Sequence, residues 1–318
     1  MLKTINLLIL IVLSNPVFGI NKVIFGGVSY EDREMSESRF KHIFSNTGIM
    51  VNEGALDEPI LLRNKIMSVF YNNSGSRKVC EDIPFLNEVA VGTCSGVLVG
   101  EDLVATAGHC IDLSIYKNTW YFNYQNGDDL SMREGYKVTE ILHHEFENIS
   151  LKYSQQRRDL NAQRISMGVR PLPADIRDFS TYKDIALLRL DRAVTGFRKI
   201  GINFDPMLKG QRAISVGHPL GHPMKHNDRG QVVGKYNSIY MTSTIDTLKG
   251  NSGGPLFDYR TGELVGITVN QGFKPAFGLD RKKRCYRFNK YNESESQTSY
   301  LSGHMLLSPL KILLNENP

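Results

Sequence analysis

The stretch Cys94-Ser95-Gly96-Val97-Leu98-Val99-Gly100-Glu101-Asp102-Leu103-Val104-Ala105-Thr106-Ala107-Gly108-His109-Cys110 decides how the rest of this chain is read. It holds two short runs rich in β-branched residues, Ser95 to Val99 and Leu103 to Thr106, parted by Gly100-Glu101-Asp102. Both are too short for helices and are bounded by Gly and Asp, so they read as strands. A Cys closes each end, and the second follows directly on His109.

Outward from there the same texture recurs, in Tyr136 to Leu142, Ile185 to Leu190, Arg212 to Val216 and Leu264 to Val269. Short strands at close spacing, without long helices between them, predict an antiparallel sandwich or barrel. Two stretches depart from the pattern. Residues 143–180 are polar and Arg-rich and read as an insertion, with His143-His144 in a surface turn. The tail from Met305 carries Leu306, Leu307, Leu310, Leu313 and Leu314 at helical spacing and predicts a short closing helix.

The 318 residues, with 41% hydrophobic and 22% charged, supply a core and exclude a disordered or collagen-like chain. At about 150 residues per domain the length fits two domains or one double-lobed unit. The net charge is only +5 and the basic residues are scattered, so no nucleic-acid partner is expected. The single dense run, Arg281-Lys282-Lys283-Arg284, reads as a solvated turn.

Residues 1–19 read as a signal peptide: Lys3 is the basic start, Ile5 to Leu13 the apolar stretch and Val17-Phe18-Gly19 the cleavage site. That apolar stretch is shorter than the roughly 20 residues a bilayer span needs. A secreted or periplasmic chain, with no membrane association once the signal is removed, is the expectation. Its four Cys then read as disulfides, with three possible pairings. The local spacing of Cys94 and Cys110 favours their bridge, leaving Cys80 with Cys285. No C-x-x-C pair suggests zinc, and no metal or other cofactor is expected.

Three motifs bring chemistry in order: Thr106-Ala107-Gly108-His109-Cys110, Asp184 to Leu190, and Gly250-Asn251-Ser252-Gly253-Gly254-Pro255. A Ser hydroxyl is a weak nucleophile until a base takes its proton, and His is the base whose pKa suits that work near neutrality. A carboxylate fixes the imidazole's tautomer, and Asp184 is the Asp that opens an apolar run. The Gly residues around Ser252 permit the sharp turn that would aim the Gly250 and Ser252 amides at an oxyanion. Gly250 to Gly254 also fits G-x-S-x-G, but Pro255 opposes the helix that such an elbow requires, and His109 lies upstream.

The order His109, Asp184, Ser252, with Cys94 and Cys110 framing the His, resembles the chymotrypsin-like serine peptidases over roughly residues 66–272. Val23-Ile24-Phe25-Gly26 and Val216-Gly217-His218-Pro219 are similar to segments of the bacterial glutamyl-endopeptidase, V8-like branch. The resemblance implies an all-β fold of two six-stranded antiparallel barrels, completed here by the short C-terminal helix. It assigns His109 and Asp184 to the first barrel and Ser252 to the second. The expected organisation is residues 1–19 as signal, 20–65 as an N-terminal segment packing on the body, 66–200 as the first lobe with its insertion at 143–180, and 201–318 as the second lobe with the terminal helix.

Several positions depart from the pattern. Trypsin-type members carry Asp before the nucleophile, where this chain has Asn251, so its turn should be held by hydrogen bonds instead of an ion pair. Asp246 falls where trypsin-like enzymes bind substrate Arg or Lys, but it also matches a structural Asp-Thr pair of the bacterial branch. Thr268 stands where glutamyl endopeptidases hold a substrate-contacting His, and Gln271 where a pocket-lining Gly is common. These three are the candidate pocket residues. His218, His222 and His226 recur every fourth residue, but Pro219 and Pro223 prevent the helix that would align them for a metal, and a loop near the cleft is expected. The combined reading is a monomeric serine endopeptidase acting on proteins or peptides; the rival is a catalytically silent binding protein on the same fold.

Overall fold

The structure, a computed structural model, describes residues 30–74, 78–146, 159, 161–169, 182–235, 237–270, 277–289 and 301–317. The expected signal peptide, the Val23 to Gly26 segment, most of the 143–180 insertion and Gln271 lie outside the described residues. In chain order the strands are β1 (Thr47–Val51), β2 (Lys78–Val79), β3 (Gly92–Leu98), β4 (Leu103–Thr106), β5 (Thr119–Phe122), β6 (Tyr136–Phe146), β7 (Asp184–Leu190) and β8 (Arg212–Gly217). Then come β9 (Lys225–Lys235), β10 (Tyr240–Ser243), β11 (Pro255–Asp258), β12 (Leu264–Asn270), β13 (Phe277–Asp280), β14 (Cys285–Phe288) and β15 (Ser302–Leu306).

They close into two six-stranded antiparallel barrels, β1-β3-β4-β7-β6-β5 and β10-β15-β12-β11-β8-β9. Aliphatic side chains and a Met fill them: Val97, Val104, Leu187 and Leu188 in the first, Leu256, Val265, Ile267 and Met305 in the second, all essentially without solvent exposure. Each such side chain contributes roughly 1.5–3 kcal/mol on burial. Both faces of β7 are covered as far as Leu188, which is why Ile185 to Leu188 reads as a continuous apolar run and not as an alternation. Helix α1 (Ser38–Phe44) packs its Phe44 ring on Phe257 of the second barrel, 6.4 Å between centroids.

Four features differ from the sequence reading. β1 lies inside the 20–65 segment, where it is not a flanking element but a stave of the first barrel, pairing Ile49 with Ser95 and fully buried. Its five residues are too few to show a period, and only pairing with β3 and β5 on either side stabilises them. His143 and His144 belong to β6, not to a turn, beside a register shift between Ile141 and His143. In the tail, Leu306 ends a strand that closes the second barrel between β10 and β12, and the helix proper is only Lys311–Glu316. A 3-10 turn, Ser308–Leu310, with Pro309 in the first turn where its missing N–H costs nothing, leads into the helix, while the barrel's open edge claims the preceding residues. Finally, β13, β14 and β2 form a separate small sheet, with β14 and β2 parallel.

That small sheet is stapled by Cys80–Cys285, whose Cα atoms are 5.0 Å apart across 205 residues of sequence. Cys94–Cys110 joins β3 to the short turn after β4, at 6.3 Å. Chain entropy alone gives the long bridge about 5 kcal/mol of stabilisation and the short one about 3. A Cys80→Ser, Cys285→Ser double variant is expected to lower the urea midpoint of unfolding well below that of the parent, with a steeper slope because the opened unfolded chain exposes more surface.

Candidate active site

β4 ends at Thr106, and a one-turn 3-10 helix, Gly108–Cys110, presents His109 at the lip of the first barrel. β7 begins at Asp184, whose side chain has no exposure. Residues 75 apart thus meet twice: the His109 backbone N–H donates to Asp184 Oδ1 at 2.8 Å, and Nδ1–H donates to Oδ2 at 2.8 Å. Because a carboxylate only accepts, the proton must sit on Nδ1, which leaves Nε2 as an acceptor. Ser252, in the turn before β11, donates its Oγ–H to that Nε2 at 2.8 Å. The imidazole is about one-third exposed, so substrate and water reach it while its orienting carboxylate stays dry. Phe146, paired with Asp184 across β6 and β7, lies 6.0 Å from the imidazole ring.

The turn around Ser252 depends on its glycines. Gly250 has φ +93°, and a side chain there would strike the His218 carbonyl. Gly253 has φ +83°, and a side chain there would strike Ser95 and Thr106. Strand partners fix the turn on both sides. Gly253 N–H donates to the Thr268 carbonyl at 2.6 Å, and Thr268 N–H donates to the Gly254 carbonyl at 2.8 Å. Among the described residues the amides of Gly250 and Ser252 have no hydrogen-bond partner, which leaves both free for a ligand oxygen.

Two residues beside this constellation escaped the sequence reading. Ser95, wholly buried on β3, donates its hydroxyl to the Gly250 carbonyl at 2.6 Å and accepts the His218 N–H at 2.9 Å; its own N–H donates to the Ser252 carbonyl at 2.7 Å. It ties the first barrel to the nucleophile turn, yet in sequence it is one more small residue in a strand. Tyr182 donates its hydroxyl to Asp184 Oδ2 at 2.7 Å, and burial, followed by the Asp184 charge, holds its pKa far above the phenolic value. Its position two residues before an Asp gives no signal without the fold.

Of the candidate pocket residues, Asp246 is fully buried, and Thr268 is buried with its hydroxyl shared between Ser215 Oγ and His304 Nδ1, each at 3.3 Å. His218 and His222 flank the turn between β8 and β9, which packs on the Ser252 turn as the expected loop near the cleft, whereas His226 lies in β9. All three are buried: His218 Nδ1–H donates to the His222 carbonyl, and His222 Nδ1–H donates to Glu88 Oε2. Burial holds His218 near a pKa of about 3. The Cys94, His109, Cys110 group has the proximity of a metal cluster, but both of its sulfurs are spent in the disulfide.

Two closed barrels, with an imidazole, a carboxylate and a hydroxyl meeting beside free amides, have the architecture of a serine peptidase of the chymotrypsin fold. The sequence of residues 94–267, more than half of the chain, matches the trypsin-like peptidase domain family, and the chain belongs to that family. No curated protein matches the sequence. Among solved structures it is similar to a Glu endopeptidase in complex with MPD, at 13% identity over 92% of this chain and 97% of that one, with a TM-score of 0.49. It is likewise similar to neuropsin, a serine protease of mouse brain, at 16% identity over 86% and 95% of the two chains, with a TM-score of 0.48. The family makes the chain a peptide-bond hydrolase. Among the described residues no helix is long and apolar enough to cross a membrane.

Proposed function

We propose that the protein is a secreted serine endopeptidase in which Ser252 is the nucleophile, His109 the base and Asp184 its orienting carboxylate. The carrying observation is the unbroken line of hydrogen bonds from Asp184 through His109 to Ser252, each 2.8 Å long. Ser252 Oγ attacks the scissile carbonyl while its proton passes to His109 Nε2. The Gly250 and Ser252 amides receive the oxyanion, and His109 then protonates the departing amine as the C–N bond breaks. Water, deprotonated by the same imidazole, releases the second product from the acyl-enzyme. Export is supported by the signal-like residues 1–19 and by two disulfides, which persist in oxidising compartments. Labelling by a fluorophosphonate in the parent but not in Ser252→Ala is the expected result; equal labelling, or none, would favour the silent binding protein.

The similarity of Val216-Gly217-His218-Pro219 supports placing the enzyme with the V8-like branch, but without that branch's preference for Glu. Thr268 replaces the His that would meet a substrate carboxylate, and its neighbour His304 is held neutral by burial, near a pKa of about 3. Glu before the cut is therefore expected to be cleaved no faster than Gln in a peptide library at neutral pH. Asp246, with no exposure, supports the structural role more than direct capture of substrate Arg or Lys.

Tyr182 acts on the base through Asp184, donating to the same Oδ2 that accepts from His109 Nδ1–H. Tyr182→Phe is expected to lower kcat about 3- to 10-fold with KM nearly unchanged, since the carboxylate then holds the imidazole less firmly. Equal kcat in variant and parent would remove Tyr182 from the mechanism.

A further inference from the structure

The turn carrying Ser252 is also held from a part of the chain that the catalytic motifs do not include. Asn251, immediately before the nucleophile, is buried and donates its Nδ2–H to the phenolic oxygen of Tyr30 at 3.1 Å, across 221 residues of sequence. Its Oδ1 has no partner among the described residues, so the bond to Tyr30 is what anchors this side chain. Tyr30 is itself buried, and burial, then the Asp246 charge, keeps the phenol neutral by raising its pKa well above 10.

The two residues after Tyr30 are clamped to β9 and its surroundings. Glu31 and His226 exchange two backbone hydrogen bonds of 3.0 Å. Asp32 pairs with the ammonium of Lys225, which has no side-chain exposure and also donates to Glu88 Oε1 at 2.8 Å. Glu31 pairs in turn with Arg229. Glu88 accepts from His222 through its other oxygen at 2.7 Å. A wholly buried ammonium is strongly destabilising without its carboxylates, so Asp32 and Glu88 hold one another's side of the clamp in place. Three consecutive residues are thus fixed so that the first reaches the oxyanion turn.

We propose that Tyr30 is a positioning residue for the oxyanion turn: its hydroxyl, bound to Asn251, holds the Gly250 and Ser252 N–H groups aimed at one point, and Glu31 and Asp32 are the clamp that brings it there. The inference rests on Ser252 being the nucleophile. It makes docking of residues 30–32 a condition of full activity, because Gly250 and Gly253, at φ of +93° and +83°, permit many other conformations, and neighbours must select the one that aims both amides together.

The test uses the full chain. Tyr30→Phe keeps the ring and removes the bond, and Asp32→Asn weakens the clamp while leaving Tyr30 itself in place. For Tyr30→Phe, kcat should fall about 10- to 100-fold with KM within about twofold, since the loss is confined to the transition state. Affinity for a peptide boronate, whose tetrahedral oxygen occupies the oxyanion position, should fall in parallel. Affinity for a cleavage-product peptide should not change, and a general loosening of the fold would not separate the two ligands. Asp32→Asn should move the same quantities in the same direction by a smaller factor, and it decides the matter if Tyr30→Phe fails to melt cooperatively. Fluorophosphonate labelling of the parent separates the two failures. An unlabelled parent sinks the nucleophile assignment and this inference with it. A labelled, active parent, matched by its variants in kcat and boronate affinity, overturns the role of Tyr30 alone.

Discussion

Ser252→Ala is expected to lower kcat by about 10⁵- to 10⁶-fold while leaving the melting temperature within a few degrees of the parent's. The size of the effect comes from how the three groups work. With Oγ gone, His109 has no proton to accept and Asp184 nothing to orient, so one deletion removes the effect of all three. His109→Ala should cost nearly the same, and the Ser252→Ala, His109→Ala double variant hardly more than either alone. What activity remains would come from the free Gly250 and Ser252 amides, which stay in place because Ser95 and Thr268 fix the turn through atoms the substitution does not touch. Among the described residues Ser252 Oγ hydrogen-bonds to His109 Nε2 alone, so stability has little to lose. Additive losses in the double variant would mean that the two groups do not act as a unit, and the assignment would fail.

The parts of this site visible in sequence are those whose chemistry is packed into consecutive residues. His109 sits between a strand and a disulfide Cys, and Ser252 between glycines whose only physical rationale is a tight turn. Asp184 was legible because a carboxylate opening a run as apolar as Ile185 to Leu188 must be buried, and a buried carboxylate needs partners. Ser95, Tyr182 and Tyr30 were not legible, for the converse reason. Ser95 and Tyr30 hydrogen-bond to residues 155 and 221 positions away that only the fold brings near, and Tyr182 reaches Asp184 two residues on through a side-chain orientation that no local pattern reports. Local pattern also failed where tertiary pairing overrode it. Leu306 has the spacing of a helix but lies opposite Gly266 in the second barrel, and Ile49 sits in a run too short to declare itself until Ser95 pairs with it. The every-fourth-residue histidines show the same limit, since spacing reported their number and order but not that all three would be enclosed.

Those enclosed histidines carry the second large expected effect, a steep loss of stability in mild acid. His218 and His304 are completely buried, and burial holds each near a pKa of about 3, against about 6.5 in the unfolded chain. Between those values the unfolded state takes up a proton that the folded state refuses. Stability contributed by the neutral form is therefore complete above about pH 6.5 and falls as the pH is lowered, by about 1.4 kcal/mol per unit for each group. At about pH 4.5 the two together should have cost roughly 5 kcal/mol, comparable with the whole stability of many domains. His222 and His226, also lowered by burial, add in the same direction. Glu88 compounds the loss further down: burial alone would raise its pKa, but the bonds from His222 and Lys225 bring it below the ordinary value, so its contribution disappears as acid protonates it. Measured on Ser252→Ala, to exclude self-digestion, the urea midpoint should be flat above about pH 7 and drop continuously from about 6.5 downward. His304→Asn replaces an imidazole that cannot be charged in place with a side chain that does not titrate, and should lessen that slope by about 1.4 kcal/mol per unit. A midpoint unchanged between about pH 7 and pH 5 would mean that the imidazoles accept protons in the folded state, and that the enclosure of His218 and His304 is not maintained in solution.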